Sequence, residues 1–433
     1  MDEKITEALY PISFRQEDAG ALGKNLKSES SVVLVGMKRV GISNFLRFFL
    51  NHKDIATKYI PDRSPHLFVP VDLNDLVERE VFPFWILTLK RISDSVGSST
   101  LNKQAKKYIE RLFLDSMQSK DVFLTIENIK KSLAKIIEGN ISPVIFFIRF
   151  DRLKEVITSE FFGNLQGLRD ASKGKVPFVF TSFRNLTDLA PEVFTKSSLS
   201  LFARNMYIKP AEREDMKIIF NTYKTRYGFI FPAELEDSLF EVVDGYVQYL
   251  QLALISFHES GKKFENKQEI FNFLSCDERI TLQSEEIWES LTKTEQSALM
   301  KIKKAQKISD EERKYASYLW DSGIVSEEKG KIKIFSPLFR HYFEQRQVAK
   351  SDGSNIELSK KESLLFKYLK NKIGEICERE EIIQAVWPEV EEFGVSDWAI
   401  DRLVARLRAR LEFQNVKYEI KTVKTRGYKM IES

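Results

Sequence analysis

A β-branched run, Ser31-Val-Val-Leu-Val35, leads into Gly36-Met-Lys-Arg-Val-Gly41-Ile-Ser43, and helical periodicity follows over 44–50. A strand, a glycine-bounded turn and a helix start together form the setting of a phosphate-binding loop of pattern G-x-x-x-x-G-K-[ST]. The glycines let backbone N–H groups curl around phosphate oxygens, and the helix N-terminus adds positive potential. Gly36, Gly41 and the hydroxyl of Ser43 keep that chemistry, with Lys38 and Arg39 as the loop's cations. The position of the pattern's lysine is Ile42, an apolar chain that cannot neutralise phosphate charge. The matching acidic strand, 144–150, should end in one carboxylate that holds Mg²⁺ and one that orients water. Those positions are Ile148 and Arg149, and Asp151 lies further along. Hydrolysis is therefore expected to be absent and no catalytic residue is assigned. ATP or ADP held without hydrolysis is the nucleotide chemistry left open. The plain alternative is that 36–43 is only a strand-to-helix turn.

A second cationic constellation lies near the C-terminus. Residues 396–430 carry nine Lys/Arg against four Asp/Glu, whereas 371–395 carry two against seven. A basic helix and hairpin beside an acidic loop is the electrostatic footprint of a nucleic-acid face. Within it, Ile400, Leu403, Val404, Leu407 and Leu411 fall at i, i+3, i+4, i+7 and i+11, a buried helical stripe with the arginines elsewhere. A solvated arginine face used for protein contact is the plain alternative. The two cysteines, Cys276 and Cys377, lie far apart, and with four histidines no metal-ligand spacing exists, so no metal site is assigned.

The elements around these sites divide the chain. Strand-like runs at 31–35, 66–72, 143–148 and 176–182 alternate with helical stretches, two of which fill roughly 80–138. Long apolar runs separated by helices predict a parallel sheet covered on both faces. We read 1–210 as an α/β domain and 211–280 as a helical subdomain. Residues 281–344 read as three helices, a hairpin and a helix, a winged-helix pattern expected to pack on the α/β domain. The polar segment 345–355 (QRQVAKSDGSN) is read as a linker, and 356–433 as a further compact unit. In that unit Ser359 is expected to cap a helix, with Glu362 completing a capping box.

The first 275 residues resemble the AAA-related signal-transduction ATPases, the STAND group. The resemblance is carried by Phe14-Arg-Gln-Glu17, the 36–43 loop, Phe150-Asp-Arg-Leu153, Ile208-Lys-Pro-Ala-Glu-Arg-Glu-Asp215 and Asp244-Gly-Tyr-Val-Gln-Tyr-Leu-Gln251. Val247 stands where that group usually has proline. The resemblance implies an ATPase fold, and the departures at Ile42, Ile148, Arg149 and Val247 make this copy a pseudo-ATPase.

Residues 356–431 resemble the winged-helix effector domain of OmpR/PhoB-type response regulators. The matching motifs are Leu358-Ser-Lys-Lys-Glu362, Glu380-Glu-Ile-Ile-Gln-Ala-Val-Trp387, Val395-Ser-Asp397, Leu403-Val-Ala-Arg-Leu-Arg408 and Thr422-Val-Lys-Thr-Arg-Gly-Tyr428. In that family the third helix enters the major groove and the wing reaches the adjacent minor groove. The resemblance implies that Asp401, Arg402, Ala405 and Arg406 face the groove. It also implies that Arg408 lies near the DNA backbone, and that Lys424 and Arg426 serve the wing.

The expected fold is thus an α/β P-loop domain with a helical subdomain, followed by two winged-helix domains. With 433 residues, 43% hydrophobic and 30% charged, the composition excludes a disordered chain or a disulfide scaffold. The formal net charge of +4 is too small to argue for nucleic acid by itself. No apolar run is long enough to span a membrane and no signal peptide is read, so a cytoplasmic protein without a membrane partner is expected. The expected function is sequence-specific binding of double-stranded DNA, as a transcriptional regulator. With no receiver domain before the winged helix, the inactive ATPase-like module would set homo-oligomerisation or sense a protein partner. The alternatives are a nucleotide-dependent switch and a DNA-associated adaptor in a defence or mobile-element complex. The operator, the signal and the sign of regulation are not legible.

Overall fold

The β-branched run before the phosphate loop forms β1 (Ser31–Val35), with every residue buried. It is flanked in a five-stranded sheet by β2 (His66–Asp72), β3 (Ser142–Ile148), β4 (Phe178–Ser182) and β5 (Ala203–Tyr207). The order is β2-β3-β4-β1-β5 and all pairings are parallel. Register places Val35 beside both Ser182 and Tyr207, so the carboxyl ends of the three strands lie level with the loop that starts at Gly36. β5 carries no apolar run, with Arg204 and Asn205 exposed, which is why periodicity missed this edge strand.

The structure, a computed structural model, describes residues 5–61, 64–194, 202–228, 231–328, 330–351, 358, 360–387, 397–413, 417–423 and 426–432. By internal contacts the chain forms two units, 1–342 and 343–433.

In the first unit, α1 (Gln16–Lys27) precedes the sheet and α2 (Ile42–Asn51) follows the loop. Three helices, not two, connect β2 to β3: α3 (Val81–Gly97), α4 (Lys103–Ser119) and α5 (Val122–Glu138). The extra break comes from local caps. The Ala105 amide donates to the Asn102 side chain at 2.8 Å, and the Leu124 amide to Asp121 at 2.6 Å. Phenylalanines fill the space beneath the helices. Phe147 on β3 lies 5.2 Å from Phe84 and 5.4 Å from Phe180, ring centre to ring centre. Both Phe84 and Trp85 are buried, as core. α6 (Ser159–Ala171) leads to β4, and β5 is followed by α7 (Arg213–Tyr227), α8 (Ala233–Val243), α9 (Val247–Ser260) and α10 (Lys267–Ser275).

Next are α11 (Glu278–Ser290), α12 (Lys293–Lys303), α13 (Asp310–Tyr315) and a one-turn helix, Tyr318–Asp321. An antiparallel hairpin, β6 (Val325–Glu328) with β7 (Lys331–Ile334), closes the segment. It is pinned to the rest of the unit by the Tyr318 hydroxyl, which donates to the Phe183 carbonyl at 2.8 Å. The Ser336 amide also donates to Asp244 at 2.8 Å.

α14 (Pro337–Ser351) runs on through Gln345–Ser351. The first part of the 345–355 segment read as a linker is thus helical; Gln, Arg, Val, Ala and Lys all have adequate helix propensity. Residues 352–357 lie outside the described residues.

The second unit packs α15 (Lys360–Asn371), α16 (Arg379–Val386) and α17 (Asp397–Phe413) against a small sheet. That sheet has the order β8 (Cys377–Glu378), β10 (Gly427–Glu432), β9 (Tyr418–Val423). Its core holds all five stripe residues of α17 together with Leu365, Leu369, Ile382, Val386, Ile420 and Met430. This is a winged-helix arrangement, with β9 and β10 as the wing. Gly427 is required by space, because a Cβ there would lie 2.1 Å from the Cys377 carbonyl oxygen.

Candidate DNA face and phosphate loop

On α17 the apolar stripe faces the core, so the remaining positions divide into two flanks and one outer face. One flank meets α15. Glu362, fully buried, accepts from Arg406 Nε at 2.8 Å and pairs with Arg410 Nη1 at 2.8 Å. Arg406, expected to face the groove, here forms a strut between helices, with its side chain 15% exposed. Glu362 serves that strut, while its proposed capping partner Ser359 lies outside the described residues. The physical reason is that a buried carboxylate must be compensated, and two guanidiniums from the next-but-one helix reach it.

The other flank meets the wing. Arg408 donates to the Ile420 carbonyl at 2.7 Å and to Thr422 Oγ1 at 2.8 Å. Its guanidinium is thus held against β9, and its expected place near a DNA backbone must accommodate that. Asp401 accepts from the Tyr428 hydroxyl and from Arg379. Burial, then the hydrogen bond to Asp401, raises the Tyr428 phenol well above its ordinary pKa, so it remains a donor. Asp401 therefore ties α17 to β10 and α16 rather than projecting freely. Arg379 and Tyr428 escaped the sequence reading; only their fold partners give them a role.

Of the other positions, Arg402 is half-buried, with its Nε and Nη2 buried, and Ala405 is exposed. Arg426 at the wing turn has its side chain 60% exposed and lies 3.8 Å from Glu378. Lys424 lies outside the described residues.

In the first unit the loop residues Gly36, Lys38, Arg39, Gly41 and Ser43 lie together between β1 and α2. Arg39 (φ 62°) and Gly41 (φ 115°) take the left-handed turns that curl the backbone. Gly36 passes beneath the Ile208 carbonyl, where a Cβ would meet the oxygen at 2.7 Å. No side chain caps α2, so its N-terminal amides point from the end of the helix. Arg149, at the end of β3, forms an ion pair with Asp72 at the end of β2, and its amide donates to Thr181 at 2.7 Å. Asp151 lies near Lys38, Arg149 and Arg152, yet burial raises its pKa.

Three residues close over the loop, of which Tyr246 and Val247 lie in the Asp244–Gln251 motif and Glu286 had no sequence signal. Glu286 of α11 lies 3.6 Å from Lys38 Nζ and accepts from Arg39 Nε at 3.3 Å. The Tyr246 hydroxyl donates to the Lys38 carbonyl, and a Cβ on Gly41 would lie 2.8 Å from Val247 Cγ2. Beside the loop, Arg184 after β4 makes a buried two-pronged pair with Glu295, both bonds 2.7 Å. The partners are separated by more than a hundred residues, so no local spacing reveals them.

Among the described residues no three or more His, Cys, Asp or Glu gather to hold a metal ion. Nor is any helix long and apolar enough to cross a membrane. Residues 353–430 match the family model described as transcriptional regulatory protein, C terminal. No curated protein matches the chain. Solved structures similar to it include a Walker-type ATPase of Pyrococcus abyssi (14% identity, 78% of this chain and 99% of that one, TM-score 0.46). Another is the Aeropyrum pernix ORC2 protein in ADPNP-ADP complexes (13%, 81% and 99%, 0.46). The Aeropyrum pernix ORC1 protein in complex with DNA is similar at 12% identity (99% and 93%, 0.42).

Proposed function

We propose that this chain is a double-stranded-DNA-binding transcription regulator whose first unit is a pseudo-ATPase used for oligomerisation or partner sensing. The observation that carries this is the winged-helix unit matched to a transcriptional-regulator family over 353–430, with Ala405 of α17 and Arg426 at the wing turn exposed. On this reading α17 enters the major groove with Arg402 and Ala405 foremost, and Arg426 and Lys424 follow the wing towards phosphate or minor groove. Arg408, held by β9, contributes charge close to the phosphates, and Arg406 and Asp401 hold the helix in place. The first unit has Ile42 in place of the loop lysine and Ile148 and Arg149 in place of the two carboxylates, which supports a non-hydrolytic role.

Selection of bound duplexes from random or genomic fragments with the full chain, followed by titration across salt, tests the reading. A selected motif bound with a steep negative dependence on log salt is expected. Recovery of no motif, with affinity for duplex no greater than for a neutral polymer, would reject it. ATP turnover of several per second by pure protein would reject the pseudo-ATPase part.

A further inference from the structure

The 36–43 loop carries cations and outward amides, yet it faces an internal carboxylate. Glu286 is 7% exposed, and its two oxygens lie against Lys38 Nζ (3.6 Å) and Arg39 Nε (3.3 Å), whose own side chains are about one-third exposed. Gln283, one turn earlier on α11, donates to Glu286 at 3.1 Å and to the Tyr246 hydroxyl at 3.0 Å. Tyr246 in turn donates to the Lys38 carbonyl. Carboxylate, amide, phenol and loop carbonyl thus form one connected buried network from α11 through the start of α9 to the loop. Val247, the next residue, presses on Gly41 at the start of α2. A desolvated carboxylate persists only where charge and hydrogen bonds compensate it, and here the compensating cations are those a phosphate would use. The arrangement is anchored nearby by the buried Arg184–Glu295 pair, which ties α12 to the end of β4.

We propose that Glu286 is a built-in counter-ion of the phosphate loop. It takes the place of polyphosphate charge on Lys38 and Arg39, holds α11 closed over the loop, and so excludes nucleotide. An incoming di- or triphosphate must displace Glu286 before it can meet the loop's cations. This deepens the pseudo-ATPase reading and is independent of DNA binding by the second unit, which would stand if it failed.

The test uses the full chain, ATP and inorganic tripolyphosphate in EDTA, and titration calorimetry. Wild-type protein should bind neither ligand saturably. Glu286→Gln, nearly isosteric, should bind both, with affinity raised at least roughly tenfold. Adding Lys38→Gln and Arg39→Gln to it should abolish the gain, and Glu286→Asp should stay close to wild type. Wild-type affinity equal to that of Glu286→Gln overturns the proposal, as does a folded Glu286→Gln with an unchanged melting temperature and no gain. Should Glu286→Gln fail to fold, hydrogen exchange on wild-type protein decides. Binding of tripolyphosphate accompanied by faster exchange over 278–290 supports displacement. Binding accompanied by unchanged or slower exchange there overturns it.

Discussion

The phosphate loop of the first unit and helix α17 of the second both set arginine or lysine where a phosphate ligand would be met. They differ in where the opposing carboxylate lies. Over the loop, Glu286 comes from a helix some 240 residues downstream and stands in front of the cations. In the second unit Glu362 lies behind α17, on the core side, and takes up Arg406 and Arg410. A carboxylate in front of a cationic surface masks it, and one behind it stiffens it. The lesson is that an arginine's place in a motif does not say what it is paired with; burial and geometry do.

The largest effect that would sharpen this contrast is expected at Arg184. Its pair with Glu295 is buried on both sides, so Arg184→Ala should cost about 3–5 kcal/mol by leaving a carboxylate uncompensated. Denaturant unfolding of the full chain would show it as an earlier transition of the first unit. An unchanged transition would mean the segment 278–342 is not held by that pair.

Next is the strut behind α17. Arg406→Ala should destabilise the second unit by about 3 kcal/mol, the low end for breaking a buried pair because Arg410 remains on Glu362. At a temperature where the variant is folded, the salt slope of DNA binding should be unchanged. A slope lowered by about one unit would instead restore Arg406 to the phosphate contacts.

Arg402 and Arg426 should behave in the opposite way. Each alanine variant should melt within a few degrees of wild type. Each should weaken duplex binding, by about 1–3 kcal/mol with relaxed preference at one position for a base contact, or through a salt slope lowered by about one for a phosphate contact. Normal DNA affinity in the double variant would break the assignment of the outer face.

The smallest expected effect is alkaline. Burial pushes both Tyr10 and Tyr207 up to about 12, from an ordinary value of 10.0. These groups are neutral when protonated and hold their protons more tightly in the folded state. Their contribution is therefore fully present below pH 10 and is lost as pH rises from 10 towards 12. At pH 11 each should have cost about 1 kcal/mol. Melting of the first unit should be flat to pH 9 and fall above pH 10, and Tyr207→Phe should blunt the fall.

Patterns of short range were enough for much of this molecule. Alternating apolar runs and helices predicted four of the five strands of the parallel sheet, and the i, i+3, i+4, i+7 stripe predicted the buried face of α17 residue by residue. The loop 36–43, the missing lysine at Ile42 and the absent carboxylates at Ile148 and Arg149 were legible because each depends on residue type at a fixed spacing. β5 was not, since an edge strand with exposed Arg204 and Asn205 has no apolar run to announce it. The helical start of the presumed linker was not, since polarity fits a helix surface as well as a loop.

The fate of the charged side chains was decided by tertiary structure alone. Arg406 and Arg402 are indistinguishable as letters on one helix, yet their positions differ by four residues, a little more than one turn. A rotation of about 40° separates them, and it is Arg406 that meets Glu362. Glu286 is one acidic residue among many in α11 until the fold brings it to Lys38 and Arg39. Periodicity follows from the backbone and repeats every few residues, so the sequence carries it. Compensation of a buried charge requires a partner at about 3 Å from anywhere in the chain, and only the folded structure supplies that distance.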